Sequence, residues 1–346
     1  MKIKRDRVIS SLIDIVLLGL LVSTAIAIVR MRDLFAVVML SGIYGLLSAS
    51  FFVAMDAVDV AFTEASVGAG ISTLLMLTAV TMTGRSEDGA RHKPMWALVV
   101  VFITGGLLIY GTLDMPYFGY ADAPVHLHVA PRYINDSMQE TGLPNIVTSV
   151  LASYRGFDTF GEVVVIFTAG IGVLALLAMG ISSGADRAKS ESSVDTMHEQ
   201  HLILRIVTKM LIPFILLFAL YVQFHGDFGP GGGFQAGVIF AAAIILYAMV
   251  FGLSTARRVI RLTFVKTLAA IGVLLYGGVG VISLLRGGSF LDYSVLADDP
   301  VAGQHLGILL IELGVGITVA AVMVIIFFNF DARGDSPENI DSKGNQ

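Results

Sequence analysis

His225-Gly226-Asp227-Phe228-Gly229-Pro230-Gly231-Gly232-Gly233-Phe234-Gln235-Ala236-Gly237 separates two apolar runs, roughly 203–224 and 234–253, each about the length of a bilayer-spanning helix. Five glycines and a proline fall in the nine residues from Gly229 to Gly237. Proline removes a backbone donor and glycine loses the most entropy on ordering, so this stretch does not continue a membrane helix. Irregular backbone at membrane depth survives only where protein or a water-lined cavity satisfies its polar groups. The stretch is therefore either a tight hairpin at the membrane surface or an ion-facing break. Neither GxxxxGK[ST] nor GxGxxG is present, which removes the phosphate-binding reading of a glycine-rich loop.

The rest of the chain supports the membrane setting. Of its 346 residues, 55% are hydrophobic and only 14% charged, against about a quarter charged in soluble domains, and the mean hydropathy is +0.82. A net charge of −5 argues against nucleic acid as a partner. The absence of cysteine excludes disulfides, thiolate metal sites and cysteine-held iron–sulfur clusters. Hydropathy predicts nine spans, at roughly 9–29, 34–54, 59–82, 95–113, 160–180, 203–224, 234–253, 265–285 and 305–329. The expected fold class is all-α, a polytopic integral membrane protein with its helices in three small bundles. The basic N-terminus resembles a signal peptide, but the long apolar run behind it reads as a retained span. With the N-terminus outside, 15 of the 22 Lys and Arg fall on the cytoplasmic side, and the long 114–158 connection lies outside. Charged linkers at 84–91 and 182–201 divide the chain into segments 8–84, 94–182 and 202–330, with a polar, disordered tail at 331–346.

Acids inside spans carry the functional signal, because a charged group at the bilayer centre costs about 2.5 kcal/mol or more. In the first segment, Ala57, Ala61, Ala65 and Ala69 form a smooth packing face. Glu64 lies on the neighbouring ridge, either protonated and tying two helices together or on an ion path, and Asp59 is placed with it. Gly68-Ala69-Gly70 is a candidate π-bulge. In the second, Ile146, Val147, Val150, Leu151 and Tyr154 share one helical face, predicting a short helix on the membrane surface. Asp158 and Glu162 follow, four residues apart at a helix start. Asp158 either caps that helix or joins Glu162 in attracting cations. His126 and His128 read as solvent-exposed. In the third, Pro213 removes a hydrogen bond to Lys209, which either snorkels to the surface or serves in a proton relay. His225 either gates protons or braces the glycine turn, with Asp227 beside it and Pro230, Gly231, Gly232 and Gly233 shaping the turn. Glu312, deep in the last span, is a further buried acid, and Asp14 in the first span is a weaker one.

The string FHGDFGPGGGFQAG followed by an apolar helix resembles the B-type component of the Mrp-type multisubunit sodium/proton antiporters. VDVAFTEA around Glu64, and YRGFDTFGE before the fifth span, resemble the C-terminal region of the large A-type component of that family, related to the D- and E-type components of membrane hydrogenases. The resemblance covers nearly everything from residue 10 to 330. It implies a secondary transporter component rather than an enzyme, set in a bacterial inner membrane. Large antiporter-like subunits, small membrane subunits and lipid would be its partners. No cofactor is implied beyond the transported sodium ions and protons. Asp59, Glu64, Asp158, Glu162, Lys209, His225, Asp227 and Glu312 become the expected ion path. The large proton-conducting domain that begins the A-type component in that family has no match here, so activity is expected to need a partner. The membrane arm of a hydrogenase or related redox complex is the alternative.

Overall fold

The computed structural model describes residues 2–86, 94–117, 119–178 and 202–334. The linker at 182–201, most of that at 84–91, and residues 335–346 of the expected tail lie outside the described residues. Nine helices among the described residues are long and apolar enough to cross a membrane. They are α1 (Lys2–Arg30), α2 (Leu34–Ala54), α3 (Val58–Thr83), α4 (Pro94–Thr112), α5 (Gly156–Ala178), α6 (Leu202–His225), α7 (Gly233–Phe251), α8 (Leu262–Leu285) and α9 (Pro300–Gly334). Hydropathy predicts the ninth span at 305–329. The helix instead starts at Pro300, which sets Glu312 about 18 Å from its beginning at 1.5 Å per residue.

Local chemistry sets the boundaries. Asp33 caps α2, its carboxylate accepting from the amides of Phe35 (2.9 Å) and Ala36 (3.2 Å). Gly252, at φ 88°, ends α7 in a conformation that side chains with a Cβ rarely adopt. Pro213 lies within α6, which runs unbroken across it. The expected bulge in α3 is a seven-residue π-helical stretch, Ala65–Ile71. It presses on α2 where Gly45 leaves room: a Cβ there would sit 2.8 Å from the backbone of Gly68 and Ala69.

The helices assemble around α9, which packs against α8, α7, α5 and the C-terminal half of α3. Its buried face includes Ile308, Ile311, Val319, Val322 and Phe328. The helices α7, α8 and α9 approach through glycines, with Gly237 against Gly316 and Gly272 against Gly314. In contrast, α4 is exposed along nearly all its described length, and α1 has no buried residue across its membrane window. Their apolar surfaces suit lipid or neighbouring protein.

The 114–158 connection is not structureless. It contains short helices at Pro124–Leu127, Val129–Asn135, Ser137–Thr141 and Ile146–Thr148, then a second π-helical stretch, Ser149–Tyr154. The helix expected over 146–154 is present, running on into the π-helical stretch. Its small and polar face, Thr148, Ser149 and Ala152, is buried, while Ile146, Val147 and Leu151 are exposed, free to meet lipid. Hydrogen bonds hold the polar face inward. Tyr293 donates to the Ala152 carbonyl (3.0 Å), Tyr276 to that of Gly156 (2.7 Å), and Thr148 reaches the glycine turn.

Nearby, Glu140 joins this connection to itself. It accepts a short hydrogen bond from the Tyr154 hydroxyl and a bridge from Arg132 at 3.2 Å. The Tyr154 bond, then Arg132, hold the Glu140 carboxyl below the ordinary glutamate range despite partial desolvation. Burial and the Glu140 bond push the Tyr154 hydroxyl up to about 12. A depressed carboxyl pKa stabilises the fold above its unfolded value, about 4.3, and that stabilisation is lost as pH falls through the lower folded value. Amide exchange in residues 132–154 is therefore expected to accelerate at pH 3 relative to pH 6 beyond the intrinsic rate change. Glu140→Gln removes that pH dependence.

Candidate functional site

The glycine turn is a tight hairpin between α6 and α7, closed by its own backbone and by a neighbouring segment. His225 oxygen accepts from the amides of Phe228 (2.9 Å) and Gly229 (3.1 Å), and Val222 oxygen from that of Gly232 (3.0 Å). Asn145 spans the turn from outside. Its side-chain amide donates to the carbonyls of Gly226 (3.1 Å) and Gly229 (3.0 Å) and reaches Asp59 at 3.4 Å. Its backbone amide donates to Asp227 oxygen (3.1 Å), and Thr148 adds a 2.6 Å bond to Gly226 oxygen. These partners satisfy irregular backbone that hydrocarbon could not. They also fix one end of the molecule: the Asp59 turn, Asn145 and the Gly226–Gly232 turn lie together.

Below the turn is a cavity of about 290 Å3, bounded by Asp59 on α3, Glu162 on α5 and Glu312 on α9. Thr63, Thr148, Thr159 and Gln235 add polar atoms to otherwise apolar walls. The Gln235 side-chain amide donates to Thr63 Oγ1 at 2.8 Å, linking α7 to α3 across the cavity. Glu312 lies against Gly232, whose φ of 111° demands glycine. Asp59 and Glu312 are half-buried, whereas Glu162 is exposed and stands at the rim. Among the described residues no three His, Asp or Glu converge closely enough to hold one metal ion. The three carboxyls share a space without chelating a single point, an arrangement suited to handing a cation or proton between positions.

The remaining sequence-predicted residues lie elsewhere. Glu64 points toward α2, against Gly45 and its own helix at Gly68, and does not line this cavity. Asp158 pairs with Arg155 at 2.5 Å, and both side chains are more than half exposed. Lys209 is exposed near the opposite end of α6, with its ammonium 5.5 Å from the Phe251 ring centre. His225 stacks on Tyr221 (4.9 Å between ring centres) and abuts Gly229. Asp227 faces His305 at 3.8 Å, and burial raises its carboxyl above the ordinary range against the opposing effect of His305. His126 and His128 are exposed.

Sequence reasoning missed Asn145, Thr148, Gln235 and His305. A signal existed for His305: it stands seven residues before Glu312, two turns away on the same helix face. For Asn145 and Thr148 only tertiary contacts reveal the role.

Nine helices among the described residues long and apolar enough to span a membrane, with carboxyl groups gathered beside a glycine turn, define the class of multi-pass membrane proteins. Comparison with known proteins narrows this. The MnhB family, described as "Domain related to MnhB subunit of Na+/H+ antiporter", matches residues 203–325. The MbhD and MbhE families, the D and E components of MBH, match residues 19–85 and 104–183. The chain is 35% identical over 136 residues to a putative mnhB2 antiporter subunit of Staphylococcus aureus (strain Newman), covering 96% of that protein and 38% of this chain. It is 25% identical over 319 residues to a probable K(+)/H(+) antiporter A/B component of Rhizobium meliloti (strain 1021). That match takes in 86% of this chain but only 32% of the relative. Among solved structures, a chain of the Mrp complex from Dietzia sp. DQ12-45-1b aligns at TM-score 0.71 and 26% identity, over 93% of this chain and 35% of that one. A chain of the membrane-bound sulfane sulfur reductase, an archaeal respiratory membrane complex, aligns at TM-score 0.50 and 30% identity, over 68% of this chain and 97% of that one. The chain belongs to the Mrp/Mnh antiporter family of membrane subunits, with an MnhB-type region behind MbhD- and MbhE-type regions. It spans about a third of the length of the A/B relative and of the Dietzia chain.

Proposed function

We propose that the chain is a non-enzymatic component of a multisubunit monovalent cation/proton antiporter in a bacterial plasma membrane. It would supply carboxylates to the translocation path and work only with partner subunits. The observation that carries this reading is the meeting of Asp59, Glu162 and Glu312, from three separate stretches of chain, on one cavity beside the hydrogen-bonded glycine turn. A carboxyl in such surroundings can hold either a proton or a partly dehydrated cation, so arrival of one favours release of the other. The exposed faces of α1 and α4 are where partner subunits and lipid would pack. Glu64, on the α2 side of the π-helical stretch, forms a separate position on the path, Asp158 and His225 serve at its margins, and Lys209 stands at the far end of α6.

Sodium is the proposed cation, although relatives are named for both Na+ and K+. The test is Asp59→Asn in everted membrane vesicles carrying the assembled complex, with proton movement followed after pulses of NaCl or KCl. The half-saturating sodium concentration is expected to rise about tenfold, the cost of losing an interaction worth ~1.4 kcal/mol. An unchanged concentration dependence removes Asp59 from the path. The near-complete coverage of a respiratory-complex chain favours a second reading, a redox-driven membrane arm. Co-purification of cofactor-bearing redox subunits would decide for it.

A further inference from the structure

We propose that His305, through its contact with Asp227, is the residue that exchanges protons between bulk water and the three-carboxylate cavity, the role that sequence alone offered to His225. This rests on the proposed function and adds to it the point of proton entry.

Position is the first argument. The His305 side chain is 46% exposed, whereas its neighbour Asp227 is 22% exposed, so the pair bridges solvent and interior. His305 and Glu312 share one face of α9, about 10 Å apart along the axis by helical rise. Asp227 belongs to the same turn as Gly232, against which the Glu312 carboxylate lies. The backbone of Asp227 is bonded to Asn145, whose side chain reaches Asp59. The pair therefore sits on the turn that meets Glu312 through Gly232 and Asp59 through Asn145. His225 lacks this placement, being stacked on Tyr221 and pressed against Gly229.

The charged surroundings single out Asp227 as the partner. Around His305, the 137–142 segment contributes Glu140, already held by Tyr154 and Arg132. The chain before α9 contributes Asp292, bonded to Ser294, and Asp299, which accepts from the Ala302 amide (3.2 Å), together with Asp298. Arg286 is bonded to the carbonyls of Val295 and Leu296. Among the described residues, Asp227 is the acid in ion-pair contact with His305, at 3.8 Å. At 3.8 Å the two groups are in ion-pair reach without a direct hydrogen bond, so a proton passes between them through one bridging water or after a small side-chain rotation. Imidazole is the side chain chemically suited to that exchange, because it both takes up and releases a proton.

The test uses everted vesicles with the assembled complex, scored per complex recovered by co-purification, with sodium-dependent proton movement measured from pH 5.5 to 9. In His305→Gln the rate at pH 7.5 is expected to fall about tenfold, and the wild-type change in rate across pH 6–7 to flatten, because proton delivery has lost its acid–base group. Asp227→Asn is expected to flatten the same interval, and the double variant to be no slower than the slower single, as for two groups acting as one unit. A His305→Gln profile that tracks wild type, or losses that multiply in the double variant, overturns the assignment. If His305→Gln does not assemble, Asp227→Asn decides alone, and a retained wild-type profile overturns it. A wild-type complex without sodium-dependent exchange instead defeats the proposed function, a separable result.

Discussion

Glu312→Gln in the assembled complex is expected to lower sodium-driven proton exchange about a hundredfold or more, to the level of vesicles without the complex, while assembly is retained. The amide keeps the size of the carboxyl and its capacity to accept a hydrogen bond but holds neither a negative charge nor a transferable proton. A group that moves a proton in the rate-limiting step accounts for about 10²–10⁴-fold in rate. Glu312 is the acid most firmly placed: it stands on the central helix α9 and lies against Gly232, whose φ of 111° excludes a larger residue. Glu162→Gln provides the contrast, because Glu162 is exposed at the rim and solvent or a partner group can substitute for it. Its loss is expected to be smaller, near tenfold, which at ~1.4 kcal/mol is a single charge interaction's worth. Wild-type exchange in Glu312→Gln would remove the cavity from the transport path, whatever the behaviour of Glu162.

Gly233→Ala is expected to break the site without touching any ionisable group. A Cβ at this position falls on the Glu312 backbone oxygen, well inside contact distance, and stands 2.9 Å from the Glu312 carbonyl carbon and 3.0 Å from the Gly316 amide. Those atoms belong to a helix backbone, so no side-chain rotation relieves the overlap, and α7 and α9 must separate. Overpacking of this kind costs typically about 1–3 kcal/mol and shifts the backbone. The shift would move Glu312 relative to the turn and strain the Gln235–Thr63 link. Purified complex carrying Gly233→Ala is expected to unfold several degrees below wild type and to be recovered in lower yield. Gly278→Ala in α8, where an added Cβ meets nothing within 4 Å, is the matched control and is expected to leave both unchanged. Equal behaviour of the two variants would show that α7 and α9 do not approach this closely.

Much of the architecture was legible because membrane insertion obeys local rules. Length and hydropathy set nine spans, since hydrocarbon accepts a helix only when its own backbone bonds are closed. Gly68-Ala69-Gly70 marked the π-helical stretch because glycine and alanine present little side-chain surface to resist a widened turn. The second π-helical stretch, at Ser149–Tyr154, had no such mark in its sequence. It is held by Tyr293, 141 residues beyond the Ala152 carbonyl it bonds, with Tyr276 bonding Gly156 just past its end. The partners of that segment's polar face were hidden for the same reason. Apolar periodicity marked the face left exposed to lipid, and only tertiary contacts show Thr148, on the other face, bonding the turn.

The order of residues alone was enough to make the chain helical, to send it repeatedly across the membrane, and to mark which carboxyls are costly enough to need a reason. Charge in hydrocarbon is expensive wherever its neighbours are, so that inference required no coordinates. Which of those acids keep company came from the packing of the helices. It joined Asp59, Glu162 and Glu312 across more than 250 residues of chain, turned Glu64 toward α2, and gave Asp227 its partner in His305. Helical period fixes the face of each residue on its own helix, but the neighbour of that face depends on how closely glycine-lined helices approach one another, a property of pairs that no single stretch contains.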